Sequence, residues 1–347
     1  MENTNMAENI VELLTDVADA IREKKGSQDK INAQNFADEI KNLPSGSAPR
    51  YTGHADVEGL KAIGWDDDDI AYYQQYGVNW NEEDDQYHLV SDDNKALYGV
   101  LTASNYKSYS SRIVYMPKID GIGSGSMAFN NFQALVALPL KLQGSTTFFY
   151  CFNGCKSLAC CPPLDFSSTT NCDEMFSGTT TLQYIPTLSL IKATSISSMF
   201  NSSNYKGSVN IYAPNVITVG NLFRGCTSIS SINLHVKVAP FDETSFHGNY
   251  SLRELHITAD SVTLIGEYVF SNAISLSRPY IQSLASSVSF AFSPLIEKDA
   301  LLYIINNAIP PTEGITIKLH KSAFERLGND ADIVAAIEGK NISIISA

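Results

Sequence analysis

The six histidines and six cysteines of this 347-residue chain are the residues most able to bind a metal or act as nucleophiles. No two histidines lie within four residues of each other, so the spacing of a helical zinc site is absent from the sequence. His235 and His256 occupy equivalent positions in two alternating segments, and a surface pair of this kind is a weak metal candidate. Simple solvent exposure is the alternative, and we predict no metal ion and no cofactor.

Five of the cysteines crowd one stretch of the chain and follow no zinc spacing. No thiol has a neighbour in the sequence that would activate it as a nucleophile. We predict buried free thiols, with a disulfide such as Cys155 to Cys172 as the alternative. The crowded cysteines are Cys151, Cys155, Cys160, Cys161 and Cys172, and Cys226 stands apart.

Carboxylates are the remaining candidates for catalysis or metal binding. The four aspartates Asp66–Asp69 open a predicted helix, but no glycine-turned loop with spaced ligands follows them. They therefore predict helix capping and a favourable interaction with the helix dipole, not a calcium site. Among residues 120–292, the only close acidic pairs are Asp173-Glu174 and Asp242-Glu243, and adjacent residues on a chain do not flank a substrate. Since phosphate-binding and zinc-protease motifs are also absent, we predict no catalytic residues and no enzyme activity.

An internal repeat sets the elements that must position these side chains. Seven phenylalanines, called anchors below, recur at intervals of 23 or 24 residues. This period lies within the range of leucine-rich repeats, about 20–29 residues, whereas the blades of a β-propeller need about 40–45. An aliphatic residue follows each anchor by six positions, except after Phe200, where Lys206 stands and a bulge is expected. The anchors are Phe129, Phe152, Phe176, Phe200, Phe223, Phe246 and Phe270.

The spacing within a unit predicts its local structure. Glycine two residues past the anchor permits a turn, and runs such as 231–235 and 253–257 alternate as short strands with one buried face. We expect each anchor and its later leucine to point inward and to stack on their equivalents in neighbouring units. The candidate binding residues are those at outward strand positions, namely Asn233, His235, His256 and Thr258.

The predicted fold class is α+β. It is a leucine-rich-repeat-like solenoid of short strands, about seven to eight coils of 23–24 residues, with an N-terminal helical segment and an α/β C-terminal cap. The predicted parts are an attachment or oligomerisation segment at 1–44, a linker at 45–50, a small acidic helical domain at 51–119, the solenoid at 120–292 and the cap at 293–347.

The flanking parts differ from the repeat in composition and pattern. The helical pair in residues 1–44 is too small to be stable alone, so it docks either on another subunit or protein or back on its own chain. Trp65 and Trp80 are expected to form the core of the acidic domain. In the cap, Ser293-Pro294 is expected to start a helix, and residues 315–319 and 342–344 are expected to be strands.

Charge and hydropathy exclude several classes of partner. Residues 1–128 carry 22 acidic and 11 basic residues, and the whole chain has a net charge of −13, so nucleic acid is not expected as a partner. No apolar run approaches the ~18 residues that span a membrane, so no membrane insertion is expected. The start of the sequence lacks the basic and apolar regions of a secretory signal, which predicts folding in a bacterial cytoplasm.

Two resemblances follow from these motifs. The unit at Phe152–Leu158, Phe-Asn-Gly-Cys-Lys-Ser-Leu, and that at Phe223–Ile229 resemble the leucine-rich repeats of BspA-type surface proteins of gut and oral Bacteroidetes, over about residues 120–292. The segment Ile10–Gly26, with its Ala-Ile-Arg-Glu-Lys-Lys-Gly end, and the following Ile31–Ile40 are similar to the start of many tailed-phage structural proteins. The fourth unit, from Phe200 to Lys206, departs from the repeat pattern.

Together the resemblances imply a tail or head fibre, or an adhesin, of a phage that infects Bacteroidetes and recognises its host surface through the solenoid. They imply that residues 1–44 bind other virion proteins, that the ligand is a host cell-surface glycan or protein, and that the chain forms homo-oligomers, with a trimer expected. The alternatives are a BspA-like bacterial cell-surface adhesin and a purely architectural virion component. A tail-borne glycan depolymerase would need paired carboxylates in a cleft, which the sequence does not indicate.

Overall fold

The computed structural model describes residues 57–75, 97–119, 122–139, 145–264 and 266–347. They belong to the second of two compact units, Tyr51–Ala347. The predictions made for residues 1–44, for the linker at 45–50 and for Trp80 lie outside the described residues.

Short helices and strands alternate with turns along the described chain. Helices α1 (Val57–Ala62) and α2 (Asp67–Gln75) come first, followed by a 3-10 helix at Tyr106–Tyr109. The repeat region contributes β1 (Leu188–Ser189), β2 (Gly207–Ala213), β3 (Ile229–Val236), β4 (Val238–Phe241), β5 (Glu254–Thr258), β6 (Ser261–Leu264), β7 (Arg278–Ile281) and β8 (Val288–Phe290). The C-terminal part contributes α3 (Lys298–Asn307), β9 (Ile315–Leu319), α4 (Lys321–Leu327), α5 (Ala331–Ile337) and β10 (Ile342–Ser346).

All pairing between these strands is parallel, because each unit follows the same path as the one before it. The largest sheet has the order β1-β2-β3-β5-β7, and β4 pairs with β6 in a second, two-stranded sheet. Isolated parallel bridges, such as Tyr115 with Ala137 and Cys160 with Tyr184, continue the pairing into earlier units. The expected repeat of short strands is confirmed, and the structure adds that their pairing is parallel.

The anchors form a continuous stack through the core. Ring centroids of successive anchors lie 5.3–5.9 Å apart with interplanar angles of 3–19°, and every anchor is fully buried. Phe290 extends the stack, 5.2 Å from Phe270. The inward stacking predicted from the period is therefore confirmed, and it explains the period: each unit must return one phenylalanine to the same place.

The position two residues after each anchor has left-handed backbone throughout. Its glycines have φ of +70 to +79°, which confirms the predicted turn. Other residues take the same conformation where glycine is missing, for example Ser202 at φ +57°. Gly178 lies so close to Gly154 that an added Cβ would be 3.6 Å from the Gly154 Cα atom. The seven positions are Asn131, Gly154, Gly178, Ser202, Gly225, Gly248 and Asn272.

A second left-handed position lies two residues before five of the anchors, and no residue type marks it in the sequence. None of its residues is glycine, and their φ angles lie between +52 and +55°. The backbone thus turns sharply on both sides of these anchors, which aims each ring into the core. The five residues are Met127, Tyr150, Glu174, Ser198 and Asn221.

The fourth unit is irregular in the way its sequence suggests. Lys206 is exposed, and Tyr205, one residue earlier, is 6% exposed and belongs to the core. The register with β3 then shifts between Gly207 and Ser208, and the extra residue, Ser230, lies on β3. An irregularity is thus present as expected, but the bulged residue belongs to the next unit. Gly207 has φ +144°, a backbone that residues with a side chain rarely adopt, which lets the chain recover the strand register.

The segment at α1 and α2 packs on the first units of the repeat. Trp65 lies 5.5 Å from Tyr73 and 6.2 Å from Tyr115, measured between ring centroids, and its Nε1 donates to the Met116 carbonyl at 3.0 Å. The same hydrophobic cluster includes Val136 and Cys160 from the repeat. The boundary at residue 119 stays a prediction, but apolar contacts cross it.

The helix expected at Ser293-Pro294 begins later, at Lys298, and that expectation is wrong in its start. Residues 293–296 instead continue the contacts of the repeat: the Ser293 hydroxyl donates to the Ala273 carbonyl at 3.0 Å, and Ile296 is fully buried. The two strands expected in the cap are present, as β9 and β10, and they pair with β8 in the order β10-β9-β8.

Candidate functional site

The outward face of the five-stranded sheet carries three rows of polar and aromatic side chains. Apolar residues of β3 and β5 point into the core, so the alternate residues face out. Parallel pairing then aligns equivalent residues of successive units. The first row is Ser208, Ser231, Glu254 and Arg278; the second is Asn210, Asn233, His256 and Tyr280; the third is Tyr212, His235 and Thr258.

The four residues singled out from the sequence all lie on this face. Asn233 pairs with His256, and His235 pairs with Thr258, so the two histidines are diagonal neighbours and not direct partners. Each imidazole contacts a different tyrosine. Whether these residues bind a ligand stays a prediction.

Two imidazole–tyrosine pairs give the face an aromatic surface. His235 and Tyr212 have ring centroids 4.8 Å apart, and His256 and Tyr280 have centroids 4.6 Å apart with an interplanar angle of 30°. Tyr212 is 45% exposed. Both tyrosines were absent from the residues chosen on sequence grounds, although they occupy the same outward rows.

A charged network lies beside the second pair. The Glu254 carboxylate contacts His256 Nε2 at 2.7 Å through Oε1 and the Arg278 guanidinium at 3.0 Å through Oε2. The Tyr280 hydroxyl donates to Asp299 Oδ2 at 2.9 Å, and its ring meets Tyr303 edge-on at 5.5 Å. These contacts fix the orientation of the side chains before any ligand arrives.

The cysteines that were candidates for chemistry serve the core. All six are buried free thiols. Cys155 Sγ donates to the Phe129 carbonyl at 3.0 Å, and Cys226 Sγ donates to the Phe200 carbonyl at 2.9 Å. Burial raises the pKa of each thiol, as for Cys226, which makes it a poor nucleophile.

The same position, three residues after an anchor, carries other donors in other units. Asn249 Nδ2 donates to the Phe223 carbonyl at 3.0 Å. Each donor reaches back to the anchor carbonyl of the preceding unit, which also accepts from a backbone N–H of its own turn. These buried polar groups therefore join neighbouring units and do not form a site.

The acidic pair Asp173-Glu174 is likewise held by hydrogen bonds between units. Asp173 Oδ1 accepts from the Ser195 hydroxyl at 2.5 Å and from the Ser197 backbone N–H at 2.7 Å. The Tyr150 hydroxyl donates to Glu174 Oε1 at 2.5 Å, and this hydrogen bond raises the pKa of Tyr150.

The run Asp66–Asp69 caps helix α2, as predicted. Asp66 Oδ1 accepts from the Asp69 backbone N–H at 2.9 Å, and Asp69 Oδ2 accepts from the Asp66 backbone N–H at 3.3 Å. This is the reciprocal arrangement of a capping box. The hydrogen bond from the Asp69 N–H, together with Lys118, lowers the pKa of Asp66 to about 2.

Within the described ranges, no group of three or more His, Cys, Asp or Glu side chains is placed to hold a metal ion. Across the same part of the chain, no helix is long and apolar enough to cross a membrane.

Comparison with known proteins points to the same repeat. The family model for the BspA type leucine-rich repeat region matches residues 195–297 in six copies. No curated protein matches the chain. A crystal structure of a leucine-rich repeat protein from Bacteroides ovatus aligns with 16% identity over 68% of this chain and 73% of that chain, at a TM-score of 0.16. The chain therefore contains a leucine-rich repeat region of the BspA type.

Proposed function

We propose that the chain is a recognition protein of a phage virion, a fibre or adhesin component that binds a host cell-surface glycan or protein. The ligand surface is the outward face of the five-stranded sheet. The observation that carries this proposal is that two imidazole–tyrosine pairs lie on that face, the second of them beside the Glu254–Arg278 ion pair.

The chemistry of the face suits binding. Tyrosine and arginine are the residues that contribute most at binding surfaces, because they bury large areas and keep a polar end. A sugar ring has an apolar face that lies flat on an aromatic ring, and its hydroxyls need neighbours such as Asn233 and Glu254. The strands below are fixed by the stacked core, so the surface loses little conformational entropy when it binds.

The virion setting rests on residues 1–44, whose resemblance to the start of tailed-phage structural proteins assigns them to attachment and to formation of a homo-oligomer, with a trimer expected. A BspA-like bacterial cell-surface adhesin is the second candidate, and the repeat match at residues 195–297 is consistent with it. A purely architectural role is the third.

Binding is tested with the full chain on a glycan array and by pull-down of host-cell surface proteins. We expect Tyr212→Ala and Tyr280→Ala each to weaken binding of the captured ligand about tenfold, as for central residues of an interface. Tyr268→Ala is the matched control, because Tyr268 is 56% exposed and lies outside the sheet. If neither assay captures a ligand, the architectural role is favoured. If the two sheet variants bind as the control does, the proposed surface is wrong.

The setting is tested separately by deleting residues 1–45. We expect the shortened protein to retain a folded repeat region, seen by circular dichroism, but to be lost from particles or oligomers. Normal assembly of the shortened protein would contradict the attachment role. Detection of the full chain on a bacterial envelope would favour the surface adhesin.

A further inference from the structure

A cavity of about 450 Å³ lies between the end of β6 and the sheet β10-β9-β8. It shares no residue with the outward face of the five-stranded sheet, and its volume is that of a small-molecule site. Hydroxyl groups, one lysine and one glutamate line it together with apolar residues. The lining consists of Leu264, Gly266, Glu267, Ser286, Ser287, Val288, Ser289, Thr316, Lys318 and Ile345.

Hydroxyl groups with unused donors are the first unusual feature of this cavity. Ser289 is 8% exposed, and its Oγ is a buried atom without a hydrogen-bond partner among the described residues. Such an atom is unfavourable unless a ligand or water pairs with it. Ser287 Oγ accepts from the Thr316 backbone N–H at 2.9 Å, which leaves its own proton to donate.

The lysine is the second feature. Ser289 and Lys318 are paired across β8 and β9, so both side chains are on the same face of the sheet. The Lys318 ammonium contacts Glu267 Oε1 at 3.4 Å, a long ion pair in which the glutamate side chain is 69% exposed and the lysine 29%. A loose pair with an exposed partner is readily exchanged for a better one.

The balance of donors and acceptors defines the ligand. Lys318, Ser287 and Ser289 all have protons to give, whereas Glu267 is the lining's one carboxylate. A carboxylate accepts only, and charge-assisted hydrogen bonds from an ammonium are strong. Ile345 pairs with Lys318 across β10 and β9 and is 44% exposed, so it supplies an apolar wall on the same face that matches the C–H face of a sugar ring.

We propose that this cavity binds a sugar acid, a pyranose whose carboxylate replaces Glu267 as the partner of Lys318 and accepts from Ser289. The ring lies against the apolar wall, with its hydroxyls toward Ser287 and the rim. This site is independent of the proposed sheet surface and of the setting in which the protein works.

The test is calorimetric titration of the full chain with D-glucuronate, with D-glucose as the neutral counterpart and acetate as the carboxylate alone. We expect glucuronate to bind at least ten times more tightly than either. Lys318→Met should reduce its affinity about tenfold or more, whereas Lys321→Met, a change at an exposed lysine outside the cavity, should leave it unchanged.

Glu267→Gln separates an acidic ligand from a neutral one. If the ligand is acidic, this substitution removes a competitor for Lys318 and strengthens glucuronate binding by about two- to fivefold. If the ligand is neutral, it replaces a charged acceptor with the weaker amide oxygen and weakens binding. Ser289→Ala should weaken glucuronate binding without lowering the melting temperature, because its hydroxyl has no protein partner to lose.

Four outcomes would overturn the proposal: no glucuronate binding at millimolar concentration, equal binding of glucose, equal binding of acetate, or weaker glucuronate binding by Glu267→Gln. Tyr212→Ala and Tyr280→Ala serve as a further control. Because these substitutions alter only the sheet surface, we expect both variants to bind glucuronate as the unchanged protein does. A negative result for one site therefore does not count against the other.

Discussion

Left-handed backbone at single residues places each anchor ring in the stack. Ser202 holds φ +57° where other units have glycine, and Gly225 lies directly above it, 3.5 Å from the Ser202 Oγ if given a Cβ. A non-glycine residue in this conformation costs about 1–2 kcal/mol. Glycine avoids that cost but loses about 0.5–1 kcal/mol through the greater freedom of the unfolded chain.

We therefore expect Ser202→Gly to raise the free energy of unfolding by about 0.5–1 kcal/mol, measured by urea denaturation. Ser231→Gly is the control, because Ser231 lies within strand β3 and is outside the left-handed positions. It should lower the free energy of unfolding by about 0.5–1 kcal/mol. Equal destabilisation by both changes would show that the left-handed serine is not strained.

The residues of the candidate surface could be predicted only in part. His235, His256, Asn233 and Thr258 lie in strands whose alternation is regular, so their outward direction could be deduced. The outward direction of Tyr212 could not be deduced, because its strand follows the irregular fourth unit and contains a register shift. The outward direction of Tyr280 could not be deduced either, because Pro279 interrupts the alternation of a short strand.

At the scale of the element, the fourth unit shows how a repeat absorbs a missing core residue. Tyr205 fills the space that an aliphatic residue fills elsewhere, and the bulge at Ser230 restores the register. Counting six residues from the anchor places Lys206 at the core position. Such a count cannot detect that the core residue has moved by one position, to Tyr205.

We expect Tyr205→Ala to lower the free energy of unfolding by about 3–5 kcal/mol, as for other large buried aromatic residues. Lys206→Leu restores the repeat pattern but should change stability by less than about 0.5 kcal/mol, because the side chain is exposed. Thermal or chemical unfolding of both variants checks this. A clear stabilisation by Lys206→Leu would mean that residue 206, and not Tyr205, faces the core.

The cap shows the limit of local signals. Pro294 is a common first residue of a helix, yet the helix begins at Lys298. The reason lies in tertiary packing, because residues 293–296 complete the contacts of the last unit. Burial of Ile296 in the core stabilises the fold more than an exposed first helical turn would.

At the scale of the whole described unit, one hydrophobic core runs from Leu97 to Ile342. Its periodic part was predictable, because seven phenylalanines at nearly constant spacing leave few alternatives. Its flank was not. The packing of Trp65 and Tyr73 against Ala134 and Val136 joins segments without a shared period, and such contacts leave no pattern in a single sequence.

Each central anchor of the stack packs against the anchors of both neighbouring units. Phe200 lies 5.6 Å from Phe176 and 5.5 Å from Phe223, so we expect Phe200→Ala to lower the free energy of unfolding by about 3–5 kcal/mol. Tyr268→Ala, an exposed aromatic in a nearby unit, should change it by less than about 0.5 kcal/mol. Urea denaturation followed by circular dichroism compares them, and similar losses would contradict a dominant role for the stack.

The backward direction of the buried donors affects how the chain is made. Cys155, Cys226 and Asn249 each donate to a carbonyl of the unit before their own. On a ribosome that adds about 5–20 residues per second, a new unit emerges roughly every one to five seconds. The carbonyl that each of these three donors needs has then already been synthesised, so the buried hydrogen bond can form as soon as the new unit emerges, and assembly can proceed in the order of translation.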